Sequence, residues 1–144
     1  MALYLDTSCL LKVFFPEPET AQTLAAIAAE SRVVVSSLAR LEMLSQIHGR
    51  VAGGLLSTAR ARRLLQRVET VLKMAPYEPA RCPADIIEIA VAQVQPLSKS
   101  VHCRTLDRLH LAAMEALGVR RLLTNDDTQA AAARALGFQV LLPR

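Results

Sequence analysis

Four acidic residues, Asp6, Glu42, Asp107 and Asp126, stand at positions from which an alternating chain could bring them together. Asp6 ends a short apolar run, and Asp126 stands two residues beyond another. Asp107 lies in the first turn of a helical stretch, and Glu42 sits one turn into the helix after a β-branched run. Three of them have structural uses when taken singly. Asp6 or Asp126 could cap a helix, and Asp107 could be a first-turn acid favoured by the helix dipole. Glu42 is harder to explain that way, because its neighbours one turn away, Leu38, Ala39, Ser45 and Gln46, include no basic partner.

Gathered within ~5 Å, four carboxylates would repel by roughly 3 kcal/mol per pair at an effective dielectric of about 20. The total, very roughly 15–20 kcal/mol, is comparable with the stability of a whole domain. Such a cluster persists by binding protons or a multivalent cation. All-oxygen ligation favours a hard ion, Mg²⁺ or Mn²⁺, over zinc. The histidines His48, His102 and His110 have no zinc-ligand spacing.

The elements that must position these acids follow from the hydrophobic period. Short apolar runs at 2–6, 32–37, 120–124 and 138–142 read as strands, the second of them β-branched. Helical patterns cover 18–30, 37–54, 58–73, 84–95, 105–118 and 127–137. Gly53-Gly54 breaks one helix, Ser57 caps the next and Gly118 closes a third. The three-proline stretch 74–83 is a loop with room for a short edge strand. Short non-alternating strands between helices predict an α/β fold with a parallel sheet covered on both faces. Ligands in such folds bind outside the carboxyl ends of the strands, where these acids fall.

Composition narrows the classes further. The 144 residues are about one domain's worth, so residues 1–144 are expected to form a single domain, and the 52% hydrophobic content supplies its core. Three cysteines, Cys9, Cys82 and Cys103, have no Cys-x-x-Cys spacing, which argues against disulfides and fits a reducing cytoplasm. No uncharged stretch is long enough to cross a bilayer, and no signal peptide is evident. Five aromatic residues are too few for a base-stacking platform. Five arginines between Met43 and Val68 form a basic stripe, which suits either a polyanion or a solvated helix face.

The segments LYLDTSCLLKVFF, SSLARLEMLS, TLDRLHLAAMEALG and LLTNDDTQAAAARALGFQVL, in this order and spacing, resemble the PIN-domain family. Within it they are similar to the VapC-type toxins of bacterial toxin–antitoxin pairs. The resemblance implies a Rossmann-like α/β/α sandwich and an Mg²⁺-dependent endoribonuclease. Asp6, Glu42, Asp107 and Asp126 match its acidic quartet, with Asp127 a second acid that could share or replace the metal-binding role of Asp126. Ser8 and Thr124 match its supporting hydroxyl residues. Asp6, Asp107 and Asp126 would hold the metal, and Glu42 would act directly or through water. His110 matches the family's D-x-x-H helix, where it reads as a packed, hydrogen-bonded side chain and not as a ligand. The family also implies a homodimer and a cognate antitoxin, for which Leu10, Leu11, Val13, Phe14 and Phe15 could supply either a groove or core.

On this reading the reaction is metal-assisted phosphodiester hydrolysis, with Lys12, Arg40, Arg104 and Arg108 as candidates for the scissile phosphate. Two rivals stand beside it. A receiver-like phospho-acceptor would need adjacent acids at the first strand end and a late lysine, but Asp6 is followed by Thr7 and Ser8, and the last lysine is Lys99. A catalytically inactive PIN-like binding module would keep the fold without the chemistry. No G-x-G-x-x-G, P-loop or G-x-S-x-G motif is present.

Overall fold

The leucine and valine runs build a five-stranded parallel sheet in a computed structural model that describes residues 1–144. Its strands are β1 (Leu3–Leu5), β2 (Val33–Ser36), β3 (Tyr77–Ala80), β4 (Arg121–Leu123) and β5 (Gln139–Leu141), in the order β3-β2-β1-β4-β5. Leu3 is in register with Val33 on one side and Arg121 on the other, so β1 is central. The chain leaves β1 toward β2 and returns on its other side at β4. The crevice between β1 and β4 is therefore the topological switch point where α/β folds place ligands.

The helices are α1 (Thr7–Phe14), α2 (Thr20–Ala28), α3 (Ser37–Ala52), α4 (Thr58–Leu72), α5 (Ile86–Val94), α6 (Thr105–Leu117) and α7 (Asp127–Ala135). Side chains alternate across the buried strands. Leu3, Leu5, Val33, Val35 and Leu123 join a core with α1 to α4, whereas Tyr4, Val34 and Leu122 face Leu111, Met114, Ala132 and Ala133 of α6 and α7. Two cores on opposite faces make the expected three-layer sandwich. No helix is long and apolar enough to cross a membrane.

Most expected elements are present within a few residues, including the short edge strand, which is β3. Ser57 caps α4 by accepting from the Arg60 N–H, and Gly118 ends α6 in the left-handed region at φ 69°. Residues 7–14, which the periodicity did not delimit, form α1. It begins directly after Asp6 and buries Cys9, Leu10 and Phe14. The early apolar residues are therefore core or packed against it, with Leu11, Val13 and Phe15 partly buried.

Candidate active site

Asp6 is positioned by the sheet itself. Its N–H continues the β1–β4 ladder by donating to the Leu123 carbonyl at 3.1 Å. Although Asp6 precedes α1, its carboxylate makes no capping bond. Instead Oδ2 accepts from Ser8 Oγ at 2.7 Å and from Thr124 Oγ1 at 2.8 Å. The same two hydroxyls accept from the backbone beyond β4. Ser8 Oγ receives the Asn125 N–H at 3.2 Å and Thr124 Oγ1 the Asp126 N–H at 3.0 Å. Ser8 and Thr124 thus tie the end of β1 to the end of β4.

Glu42 reaches the same edge from α3, which starts where β2 ends. Ser36 caps that helix by accepting from the Ala39 N–H at 3.2 Å. Glu42 Oε1 accepts from Thr7 Oγ1 at 2.9 Å and is in close contact with His110 Nε2. The imidazole is only 1% exposed. Its Nδ1 lies 2.7 Å from the Tyr4 hydroxyl, which is 2.8 Å from Ser36 Oγ. Its Nε2 is 3.9 Å from Asp6 Oδ1. Burial by itself would raise Glu42. The hydrogen bond and charge of His110, the Thr7 hydroxyl and the more distant Arg104 together hold it below the usual carboxylate range.

Asp107 comes from the first turn of α6 and is buried, and Arg104 Nε donates to its Oδ2 at 3.2 Å. Burial raises Asp107 above the usual range, and the charges of Asp126 and Asp6 add to this. Arg104 offsets only part of it. Asp126 caps α7, its Oδ1 accepting from the N–H groups of Thr128 at 2.9 Å and Gln129 at 3.0 Å. Its Oδ2 lies 3.8 Å from the same Arg104 guanidinium.

All four acids are therefore at one edge of the sheet, linked through His110 on one side and Arg104 on the other. Ser8 and Thr124 both donate to the Asp6 carboxylate. Asp127 is turned away and pairs with Arg144. Of the four basic candidates only Arg104 lies among the acids. Lys12 pairs with Glu17 and Glu19, and Arg40 with Glu69. Arg108 is buried, donates to the Val101 carbonyl and lines a groove of about 820 Å³ between α5 and α6 that none of the four acids reaches.

The basic partner of Glu42 was missed because it is contributed by α6, out of reach of any helical-neighbour rule. The D-x-x-H spacing was its visible trace. Tyr4 and Thr7 gave no sequence signal beyond standing next to the Asp6 strand end.

The donor set fits a hard divalent cation in chemistry. It is oxygen-only and of one sign, and Asp107 is left with more affinity for positive charge than an ordinary carboxylate has. As the side chains stand, no three acidic, imidazole or thiol groups close around one point. The acids are arranged about a guanidinium and an imidazole.

Comparisons with known proteins bear on the family and the fold. The family model described as PIN domain matches residues 3–135. Ribonuclease VapC46 of Mycobacterium tuberculosis is 30% identical over 144 residues, covering 99% of this chain and 98% of that protein. Among solved structures, VapBC2 from Rickettsia felis, bound to a DNA fragment from its promoter, superposes with a TM-score of 0.72 at 14% identity. That match covers 99% of this chain and 98% of the other. VapC20 of Mycobacterium tuberculosis, a toxin that cleaves the sarcin–ricin loop, gives a TM-score of 0.68 at 15% identity. It covers 94% of this chain and 95% of that one. At these identities the structural matches speak for the fold.

Proposed function

The chain belongs to the PIN-domain family, and from that premise we propose that it is a VapC-like toxin, an Mg²⁺-dependent endoribonuclease. The observation that carries the reading is the meeting of Asp6, Glu42, Asp107 and Asp126 at the β1–β4 switch point. No repulsive cluster of this kind is needed to hold the sheet together.

Asp6, Asp107 and Asp126 would hold Mg²⁺, or Mn²⁺ in its place, with Glu42 acting directly or through water. When bound, the cation supplies a water of lowered pKa and polarises the phosphate. The chain's own residues do the rest. Ser8 and Thr124 fix the Asp6 carboxylate, and His110 and Thr7 fix Glu42. Glu42, held below the usual carboxylate range by His110 and Thr7, stays ionised at neutral pH and so keeps its charge toward a cation. Arg104, with an exposed side chain, can leave the acids for an RNA phosphate. With few aromatics, substrate choice would rest on backbone charge and RNA shape.

The VapBC2 likeness supports a cognate antitoxin as partner, and the family reading carries a homodimer, a cytoplasmic location and a single nuclease domain over residues 1–144. A guanidinium lodged between Asp107 and Asp126 would also suit a catalytically silent binding module. Cleavage of labelled RNA by antitoxin-free protein separates the two. Wild type should cut with Mg²⁺ or Mn²⁺ and not with EDTA, and Asp6→Asn purified identically should not cut. Equal cutting by both proteins would mark a contaminant, and absence of metal binding by wild type would leave the binding module.

A further inference from the structure

Gln129, in the first turn of α7, has no exposed surface and no part in the chemistry above. A buried amide costs folding free energy unless its polar atoms find partners. It finds them at Asp6. With its nitrogen toward the carboxylate, Gln129 Nε2 donates to Asp6 Oδ2 at 2.9 Å and Oδ1 at 3.2 Å, and to Thr124 Oγ1 at 3.0 Å. The opposite orientation would face the amide oxygen with acceptors alone, because Thr124 gives its one hydroxyl proton to Asp6 Oδ2 at 2.8 Å.

The two oxygens of Asp6 then have unequal surroundings. Oδ2 accepts from Ser8 Oγ at 2.7 Å, Thr124 Oγ1 at 2.8 Å and Gln129 Nε2 at 2.9 Å. Oδ1 has only the longer Gln129 contact and faces His110 Nε2 at 3.9 Å. A carboxylate oxygen offers about two lone-pair sites, so Oδ2 has no acceptor capacity left for a further ligand, whereas Oδ1 has. The same residue also reaches the second acid. Its backbone N–H donates to Asp126 Oδ1 at 3.0 Å. One residue therefore grips the acid after β1 by its side chain and the acid after β4 by its backbone.

We propose that Gln129 is a positioning residue of the acidic site. It fixes the Asp6 carboxylate with Oδ2 committed to the protein and Oδ1 available, and it sets the spacing between Asp6 and Asp126. Gln129 itself touches neither substrate nor cation. The inference rests on the metal-nuclease reading, since it assigns the oxygen through which Asp6 would serve that metal. It adds a third support to the two hydroxyls, and one that bonds both the Asp6 and the Asp126 carboxylates.

Gln129→Met keeps length and apolar bulk while removing the amide donors. Mg²⁺ affinity, measured by calorimetric titration of folded protein, should fall by about 10–100-fold, the usual loss when a group that orients a ligand is removed. A purely structural role would lower the thermal midpoint and leave the affinity of the folded protein unchanged, which would overturn the proposal. A second measurement needs no metal and no variant at Gln129. In metal-free wild type the Gln129 side-chain NH₂ should give two separate, exchange-protected NMR signals that move in Asp6→Asn. A freely exchanging pair that is blind to Asp6→Asn would also overturn it. Wild type that binds no Mg²⁺ sinks the nuclease reading and the inference together. Wild type and Gln129→Met binding Mg²⁺ equally well sinks the inference alone.

Discussion

Asp6 and Glu42 are held from inside the protein by Ser8, Thr124, Thr7 and a histidine that is 1% exposed. Asp107 and Asp126 share a guanidinium whose side chain is 79% exposed. Each pair leans on a basic side chain of the chain's own. The difference lies in whether that side chain can leave. An imidazole locked to Tyr4 and Glu42 cannot move without leaving buried polar groups unpartnered, at a cost of about 1–3 kcal/mol for each. An exposed arginine holds its pair by at most about 1 kcal/mol. One half of the site is set when the chain folds, and the other stays open to exchange its cation for a ligand.

The sharpest way to break this contrast is His110→Leu. It strips Glu42 and Tyr4 of their partner together, so a loss of about 3 kcal/mol or more is expected in denaturant unfolding. A loss below about 1 kcal/mol would show that the interior half is no more firmly held than the exterior one.

Glu42→Gln probes the same half through pH. Because Glu42 is held below its ordinary value of 4.5, its ionisation stabilises the fold above that pH, and this is lost as pH falls through the lowered value. Wild type should exceed the variant by about 1.5–3 kcal/mol at pH 7, the worth of a hydrogen bond to a charged group. Unfolding measured down the acid limb should show the gap closing below pH 4.5.

Asp107→Asn should have the opposite sign. A carboxyl raised in the folded state favours folding only while protonated, and that advantage is lost as pH rises through its folded value. At pH 7 the variant should match wild type or exceed it by up to about 1 kcal/mol in thermal or urea unfolding, while losing nuclease activity. Greater stability with less activity would mark Asp107 as a group kept for function.

Arg104→Ala should change stability least, within about 0.5 kcal/mol. With the guanidinium gone from Asp107 and Asp126, Mg²⁺ affinity in calorimetric titration should rise by up to about fivefold, the equivalent of ~1 kcal/mol. A fall would show that the arginine helps to hold Asp107 and Asp126 in a cation-binding arrangement.

These two halves were unequally legible in the sequence. The elements and the four acids could be read because strand runs, helix caps and strand-end acids are local patterns. Ser8 and Thr124 were legible through the family motif. The pairing of Glu42 with His110 joins α3 to α6 across 68 residues, and nothing local records it. Gln129 reads from sequence as one polar residue in an alanine-rich helix. Its meaning depends on β4 lying beside β1, which only the sheet order supplies. Lys12 and Arg40 lie apart from the acids for a related reason. Closeness in sequence to an acid said nothing of Glu17, Glu19 and Glu69, which hold Lys12 and Arg40 elsewhere.

The sheet order also has a consequence for how the chain is made. Asp6 emerges from the ribosome well before β4, Thr124, Asp126 and Gln129, which flank it in the folded chain. A nascent chain stopped at Gly118 contains Asp6, Glu42 and Asp107, yet it has no β4 to pair with β1 and no first turn of α7. Domains fold as units once enough of the chain is available, so the acid cluster is among the last features to be completed. A polypeptide abandoned partway through translation therefore ends as an incomplete sheet, without the assembled site.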